Sequence, residues 1–171
     1  MRFQKSVAPS LNSLVLVSLL VAAGSLTLVG CVATLIPGTL VEDTAENRGV
    51  YDVLEAYRAA MEGRDEDSLR SMISRDYYEN ASTTDKSVDD YGYDVLQESV
   101  IPKLRDNIKK IQLRVLLKKV VVQGDRASAE FEYFAKYLFS EGGREEWKAL
   151  NDFNRLDLVK EEGAWKITAG L

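Results

Sequence analysis

From Ala127 to Phe139 every second residue is apolar: Ala127, Ala129, Phe131, Tyr133, Ala135, Tyr137 and Phe139 fall on one side, with Ser128, Glu130, Glu132 and Lys136 on the other. Side chains of a β-strand alternate between its faces, so this pattern demands a long strand with one face buried and one wet. Such a strand needs partners, because isolated ribbons are at best marginally stable in water. The neighbouring sequence supplies them. Upstream, Leu113, Val115 and Leu117, then Val121, describe a strand from Gln112 that ends at the turn Gly124-Asp125. Downstream, "SEGGRE" predicts a hairpin loop, "EWKALNDFNRLDLV" a third strand, and "EEGA" a turn into a last strand, "WKITAGL".

Before the strands the periodicity is helical. Val50, Val53, Leu54, Tyr57 and Met61 predict a helix over about residues 45 to 62, opened by the capping-box spacing of Asp43 and Glu46 and stopped by Gly63. Asp65 is placed to cap a short second helix that buries Leu69, Met72 and Ile73. After the polar loop "ASTTDKSVDDYG", Leu96, Val100, Leu104, Ile108 and Ile111 predict a third helix, kinked near Pro102. Helices followed by a strand meander predict an α+β domain in which N-terminal helices pack on a strongly curved antiparallel sheet.

Composition removes several chemistries. The 171 residues contain no histidine and one cysteine, Cys31. That excludes an internal disulfide, every histidine-assisted nucleophile and the commonest metal ligand. The formal charge is −5, and a body this acidic argues against binding a phosphate backbone. No nucleic acid, cofactor or metal is expected. Asp89, Asp90 and Asp94 do not have the spacing of a calcium loop and read as a solvated loop with a helix cap. Lys109, Lys110, Arg114, Lys118 and Lys119 read as a solvated face.

The amino terminus has a different character, with Arg2 and Lys5 its only charges before Glu42. "MRFQKSVAPSLNS" is a basic start, "LVLVSLLVAAGSLTL" an apolar run and "LVGC" a small-residue site, the three-part plan of an export signal. Leu28-Val29-Gly30-Cys31 resembles the lipobox of bacterial lipoprotein precursors. That resemblance implies cleavage between Gly30 and Cys31, acyl chains on Cys31, and anchoring on the extracytoplasmic face of the cell membrane or outer membrane. The alternative is an uncleaved spanning anchor, since Leu14 to Ile36 is long enough to cross a bilayer. The expected organisation is a removed signal at 1–30, a lipidated tether at 31–46 and a folded domain at 47–171.

Within that domain, "LEAYRAAMEGRDEDSLRSMISRDYYEN", "VVVQGDRASAEFEYFAKY" and "RLDLVKEEGAWKITAG" resemble the opening, central and terminal segments of the nuclear transport factor 2-like superfamily, which includes SnoaL-like polyketide cyclases and ketosteroid isomerases. The resemblance implies a cone-shaped α+β barrel whose concave face, closed by the first helices, forms a pocket. It also implies an oxyanion donor at Tyr57. The base those isomerases need falls at Asn80 or Ala81, which cannot serve, and their protonated acid falls nearest Asp152, with Arg155 and Asp157 close by.

The candidate pocket residues are therefore Tyr57, Tyr78, Tyr133, Asp152 and Asn154. The expectation is a membrane-tethered domain that binds a small ligand or an envelope protein without catalysis. One alternative is an isomerase, cyclase or hydratase with Asp152 as a desolvated base and Tyr57 beside it. Another is an assembly part working as a homodimer through its sheet.

Overall fold

The computed structural model describes residues 33–80 and 90–171. Among them no helix is long and apolar enough to cross a membrane. The Gly30-Cys31 site and Asp89 lie outside the described residues.

The chain forms α1 (Ala45–Gly63), α2 (Glu66–Met72), and the short strands β1 (Tyr78–Glu79) and β2 (Tyr91–Gly92). A helical stretch follows, running from α3 (Tyr93–Val95) through a π-helical turn (Leu96–Val100) into α4 (Ile101–Asn107). The rest is a meander of β3 (Ile108–Gln123), β4 (Arg126–Glu141), β5 (Arg144–Glu161) and β6 (Ala164–Ala169). These four strands make one antiparallel sheet in chain order, while β1 and β2 pair separately. The architecture is α+β, with helices packed on one face of an antiparallel sheet.

The core lies between α1 and that face. Val50, Leu54, Tyr57 and Ala60 recur at helical spacing and are buried in one cluster with Leu117, Ala129, Phe131, Leu156 and Ile167. Leu54 is completely buried, and removing a leucine side chain from water contributes about 1.5–3 kcal/mol. The compact unit runs from Ala33 to Leu171. Within the segment expected as a tether, Ile36 and Val41 are buried in the same cluster, held by a tight turn in which the Ile36 N–H donates to the Val41 carbonyl at 2.9 Å.

Several boundaries differ from the sequence reading for identifiable reasons. Thr44, not Asp43, caps α1: its side chain accepts from the Asn47 N–H at 3.1 Å, because the Asp43 carboxylate is committed to Arg48. Gly63 is the last helical residue, and the left-handed position after it is taken by Arg64 (φ 52), whose guanidinium donates to the Ile108 carbonyl at 2.8 Å. Asp65 caps α2 as expected, accepting from the Ser68 N–H at 3.0 Å.

The third helix ends at Asn107, so Ile108 and Ile111 belong to β3. Ile111 fits both periods, being seven residues after Leu104 and two before Leu113, and pairing with Tyr137 decides for the strand. Pro102 brings a wide turn rather than a simple kink. Its ring cannot sit over the carbonyl four residues back and it has no N–H to donate, so the preceding turn opens to the π form.

In β3 a register shift between Leu117 and Lys119 inserts one residue. The faces exchange there: Val120 and Val122, opposite Ala129 and Ala127, pack on the core, and Val121, expected on the buried side, does not. The β4–β5 hairpin turns on Gly142 and Gly143, both at positive φ (57 and 80), the conformation a two-residue hairpin loop requires.

Candidate functional site

The helix-facing side of the sheet is apolar near α1 but is not filled. A cavity of about 510 Å³ lies over β3, β4 and β5, lined by Tyr57 and Met61 of α1, by Phe131, Tyr133, Ala135, Tyr137 and Phe139 of β4, and by Lys148, Leu150 and Asn154 of β5. A second hollow of about 330 Å³ between α1, α2 and α4 shares Tyr57, Met61, Leu104, Ile108, Phe139 and Leu171 with it. The β4 contribution follows from period two, since the alternating face of that strand lies entirely on this side. Volumes of this size are typical of small-molecule sites.

Tyr57 enters the cavity from the second turn from the end of α1. No described residue hydrogen-bonds its hydroxyl. Burial, with a smaller contribution from Tyr133, pushes its pKa up to about 12. The site therefore holds a neutral hydroxyl with free donor capacity inside an apolar wall. Tyr133 shares the lining, and burial first and the negative charge of Asp152 second raise its pKa.

Leu171 closes one end of the cavity through a hydrogen-bonded knot. The Gly170 N–H donates to Glu79 Oε2 at 2.8 Å, the Leu171 N–H donates to the Tyr77 hydroxyl at 3.2 Å, and Tyr77 donates to the same Glu79 oxygen at 3.2 Å. Burial drives the Tyr77 pKa far above the ordinary phenol value. Gly170 is the only residue type that fits its place: φ is 97, and a Cβ there would come within 2.0 Å of the Arg155 carbonyl oxygen.

The structure distributes the remaining candidates differently. Asn154 lines the cavity, but its Nδ2 donates to the Gly170 carbonyl at 2.9 Å and its Oδ1 accepts from the Arg155 N–H at 2.7 Å. It holds Gly170 rather than presenting free polar atoms. Asp152 pairs with Tyr133 in the sheet but is solvent-exposed, is not among the cavity-lining residues, and accepts from the Phe153 N–H at 2.8 Å. The desolvation expected of a carboxylate base is absent. Tyr78 is 55% exposed and outside the cavity; its hydroxyl donates to Asp90 at 2.6 Å, and it borders a separate polar groove with Asn80 and Arg155. Among the described residues no group of acidic or cysteine side chains is arranged to hold a metal ion.

Sequence reasoning missed Met61, Tyr137, Phe139 and Lys148 as lining residues. The signal existed for two of them, because Tyr137 and Phe139 continue the alternation that contains Tyr133. Lys148 was hidden by its charge. Its ammonium lies 4.9 Å from the centre of the Phe139 ring, and its aliphatic stem covers apolar surface while the charge stays wet.

No family profile and no curated protein matches the chain. Solved structures do. A nuclear transport factor 2-like superfamily protein from Salmonella enterica serovar Typhimurium aligns with TM-score 0.59 at 13% identity, over 72% of this chain and 86% of that one. A ketosteroid isomerase-like protein from Erwinia carotovora atroseptica aligns with TM-score 0.60 at 16% identity, over 74% and 94%. A conserved protein from Planctomyces limnophilus aligns with TM-score 0.61 at 12% identity, over 74% and 93%. At these identities the likeness shows the fold, which is the nuclear transport factor 2-like one, and not the activity.

Proposed function

We propose that this chain is a lipid-anchored domain on the extracytoplasmic side of a bacterial membrane, and that it binds a small, mainly apolar molecule carrying one hydrogen-bond acceptor. The observation that carries the binding reading is the cavity of about 510 Å³, whose apolar and aromatic wall is interrupted by the Tyr57 hydroxyl, which faces the cavity without a hydrogen-bond partner among the described residues. An apolar wall contributes affinity through burial, and one preplaced donor orients the ligand. The anchoring reading rests on Leu28-Val29-Gly30-Cys31 after a basic start and an apolar run.

The fold likeness to a ketosteroid isomerase-like protein supports the rival reading of an enzyme. Such an enzyme would need a base at the cavity, and the carboxylate in question, Asp152, is exposed. The geometry favours binding without chemistry.

A solvatochromic aromatic ketone such as prodan tests the binding reading. Saturable one-to-one uptake with blue-shifted emission is expected, and Ala135→Trp, which fills the cavity wall, should abolish it. Equal uptake by wild type and Ala135→Trp would overturn the site. Intact mass of the membrane-extracted protein tests the anchor. A chain that starts at Cys31 and carries acyl groups is expected, and the mass of the uncleaved, unmodified chain would remove the lipoprotein reading.

A further inference from the structure

The two outer edges of the sheet are treated differently. The edge of β3 is covered from α1: Glu62 accepts from the Leu113 N–H at 2.8 Å, and Arg64 donates to the Ile108 carbonyl. The edge of β5 has no such cover. β6 pairs with β5 only from Asp157 to Glu161, and among the described residues no strand pairs with the stretch from Arg144 to Leu156 on that side. Residues 144 to 153 are all exposed, including Trp147 (48%), Leu150 (44%) and Phe153 (69%). Unpaired strand edges with large apolar side chains are templates for pairing with another strand.

Two backbone donors on this edge are held by stand-ins. The Phe153 and Arg155 N–H groups, which point away from β4, are accepted by the side chains of the residues just before them, Asp152 and Asn154. Odd-numbered residues of β5 therefore present their backbone groups to the open edge, and Leu150 does not.

We infer that β5 pairs antiparallel, edge to edge, with β5 of a second copy of this chain, about a two-fold axis at Leu150. The side chains select that register. Lys148 then faces Asp152 of the second copy, and Trp147 faces Phe153, each pair occurring twice by symmetry. Asp152 has no ion-pair partner among the described residues, and the nearest carboxylate to Lys148 is Glu146 at 4.0 Å. Moving the axis one residue to Ala149 would set Glu146 against Asp152, like charge on like charge, which is destabilising across strands. The Phe153 N–H, now held by its neighbour's carboxylate, would donate to the Trp147 carbonyl of the second copy. That exchange frees Asp152 for Lys148. The paired sheet is continuous through both copies, and Leu150 meets Leu150 in a non-hydrogen-bonded pair, where the Cα atoms approach to about 4.5 Å.

Sedimentation equilibrium of the full chain in a density-matched non-ionic detergent tests this. An interface this small predicts a dissociation constant of about 1–100 µM. Lys148→Asp and Asp152→Lys should each weaken association by about ten-fold or more, because each sets like charges together. The two residues lie four apart on one strand and cannot meet within one chain, so the combined swap should restore association to within about three-fold of wild type. With Cys31→Ser in the full chain, Leu150→Cys should give a disulfide-linked dimer on mild oxidation, and Ala149→Cys should not. A wild-type chain that stays monomeric at ~100 µM overturns the inference, since that exceeds the affinity expected of such a contact. So does a dimer whose affinity ignores both charge reversals while circular dichroism shows the variants folded.

Discussion

Replacing Tyr57 with phenylalanine removes a single oxygen from the wall of the cavity, and the structure predicts three separable consequences. The hydroxyl has no described partner, so the folded protein loses no internal hydrogen bond. Stability at neutral pH should stay within about 0.5 kcal/mol of wild type, or rise slightly as a desolvated polar group disappears. The alkaline limb should change. Burial favours the neutral phenol, and the pKa in the folded chain is about 12 against an ordinary 10.0. Below pH 10 both folded and unfolded chains keep the proton and this contribution is fully present. As pH rises through 10 towards 12 the unfolded chain releases its proton while the folded chain holds it, and stability falls. The loss from this one residue is about 1.4 kcal/mol near pH 11 and approaches about 3 kcal/mol once both states are ionised. Urea unfolding of wild type and variant at about pH 8 and pH 11 reads that difference directly, with the other buried tyrosines cancelling between them. Prodan affinity should fall about two- to ten-fold, the worth of one neutral hydrogen bond, and its bound emission should shift further to the blue. A destabilisation above about 1 kcal/mol at neutral pH, with unchanged prodan binding, would refute the reasoning, because it would place the hydroxyl in an internal hydrogen bond.

Three further outcomes follow from the same geometry. Gly170→Ala puts a methyl group against the Arg155 carbonyl in a left-handed position, and should cost more than about 3 kcal/mol in urea unfolding while also weakening prodan uptake through displacement of Leu171; an unchanged midpoint would contradict the close approach. Leu54→Ala should cost about 2–5 kcal/mol by thermal unfolding, since the side chain is fully buried between α1 and the sheet, and a loss below 1 kcal/mol would mean that α1 is not packed as described. Ser74 is buried, donates to Glu161 at 2.5 Å and accepts from the Asp76 N–H at 3.0 Å, so in urea unfolding Ser74→Ala should cost about 1–3 kcal/mol and Ser74→Thr, which keeps the hydroxyl, should lose less; equal losses would contradict the hydroxyl's role.

Much of the fold was legible because it is written in local periods. The alternation from Ala127 to Phe139 settled β4, its buried face and, through the hairpins on either side, the meander; the helical spacing from Val50 to Met61 settled α1. The errors came where two periods share residues or where charge breaks a period. Ile108 and Ile111 satisfy helix and strand alike, so only pairing with Phe139 and Tyr137 could assign them. The Lys118-Lys119 pair interrupts the alternation, and the interruption is itself the mark of the bulge that turns Val120 and Val122 inward.

The candidate site divides along the same line. The absence of histidine and the single cysteine bounded the chemistry before any coordinates, because composition alone excludes reactions that need those groups. Tyr57 and Tyr133 were accessible to sequence reasoning, since each lies on the inward side of a regular element. Whether a side chain meets empty space, a neighbour or water is not a local property. Asp152 lies on the same face as Tyr133 and between the cavity-lining Leu150 and Asn154, yet it is exposed, a difference that the alternation of the strand does not encode. Asn154 is tied to Gly170, a contact made only after the last strand returns to the sheet. Local pattern determined which elements form and which faces they bury; the tertiary structure decided where packing stops short and leaves a cavity or an open edge, since those are set by the distance between elements far apart in the chain.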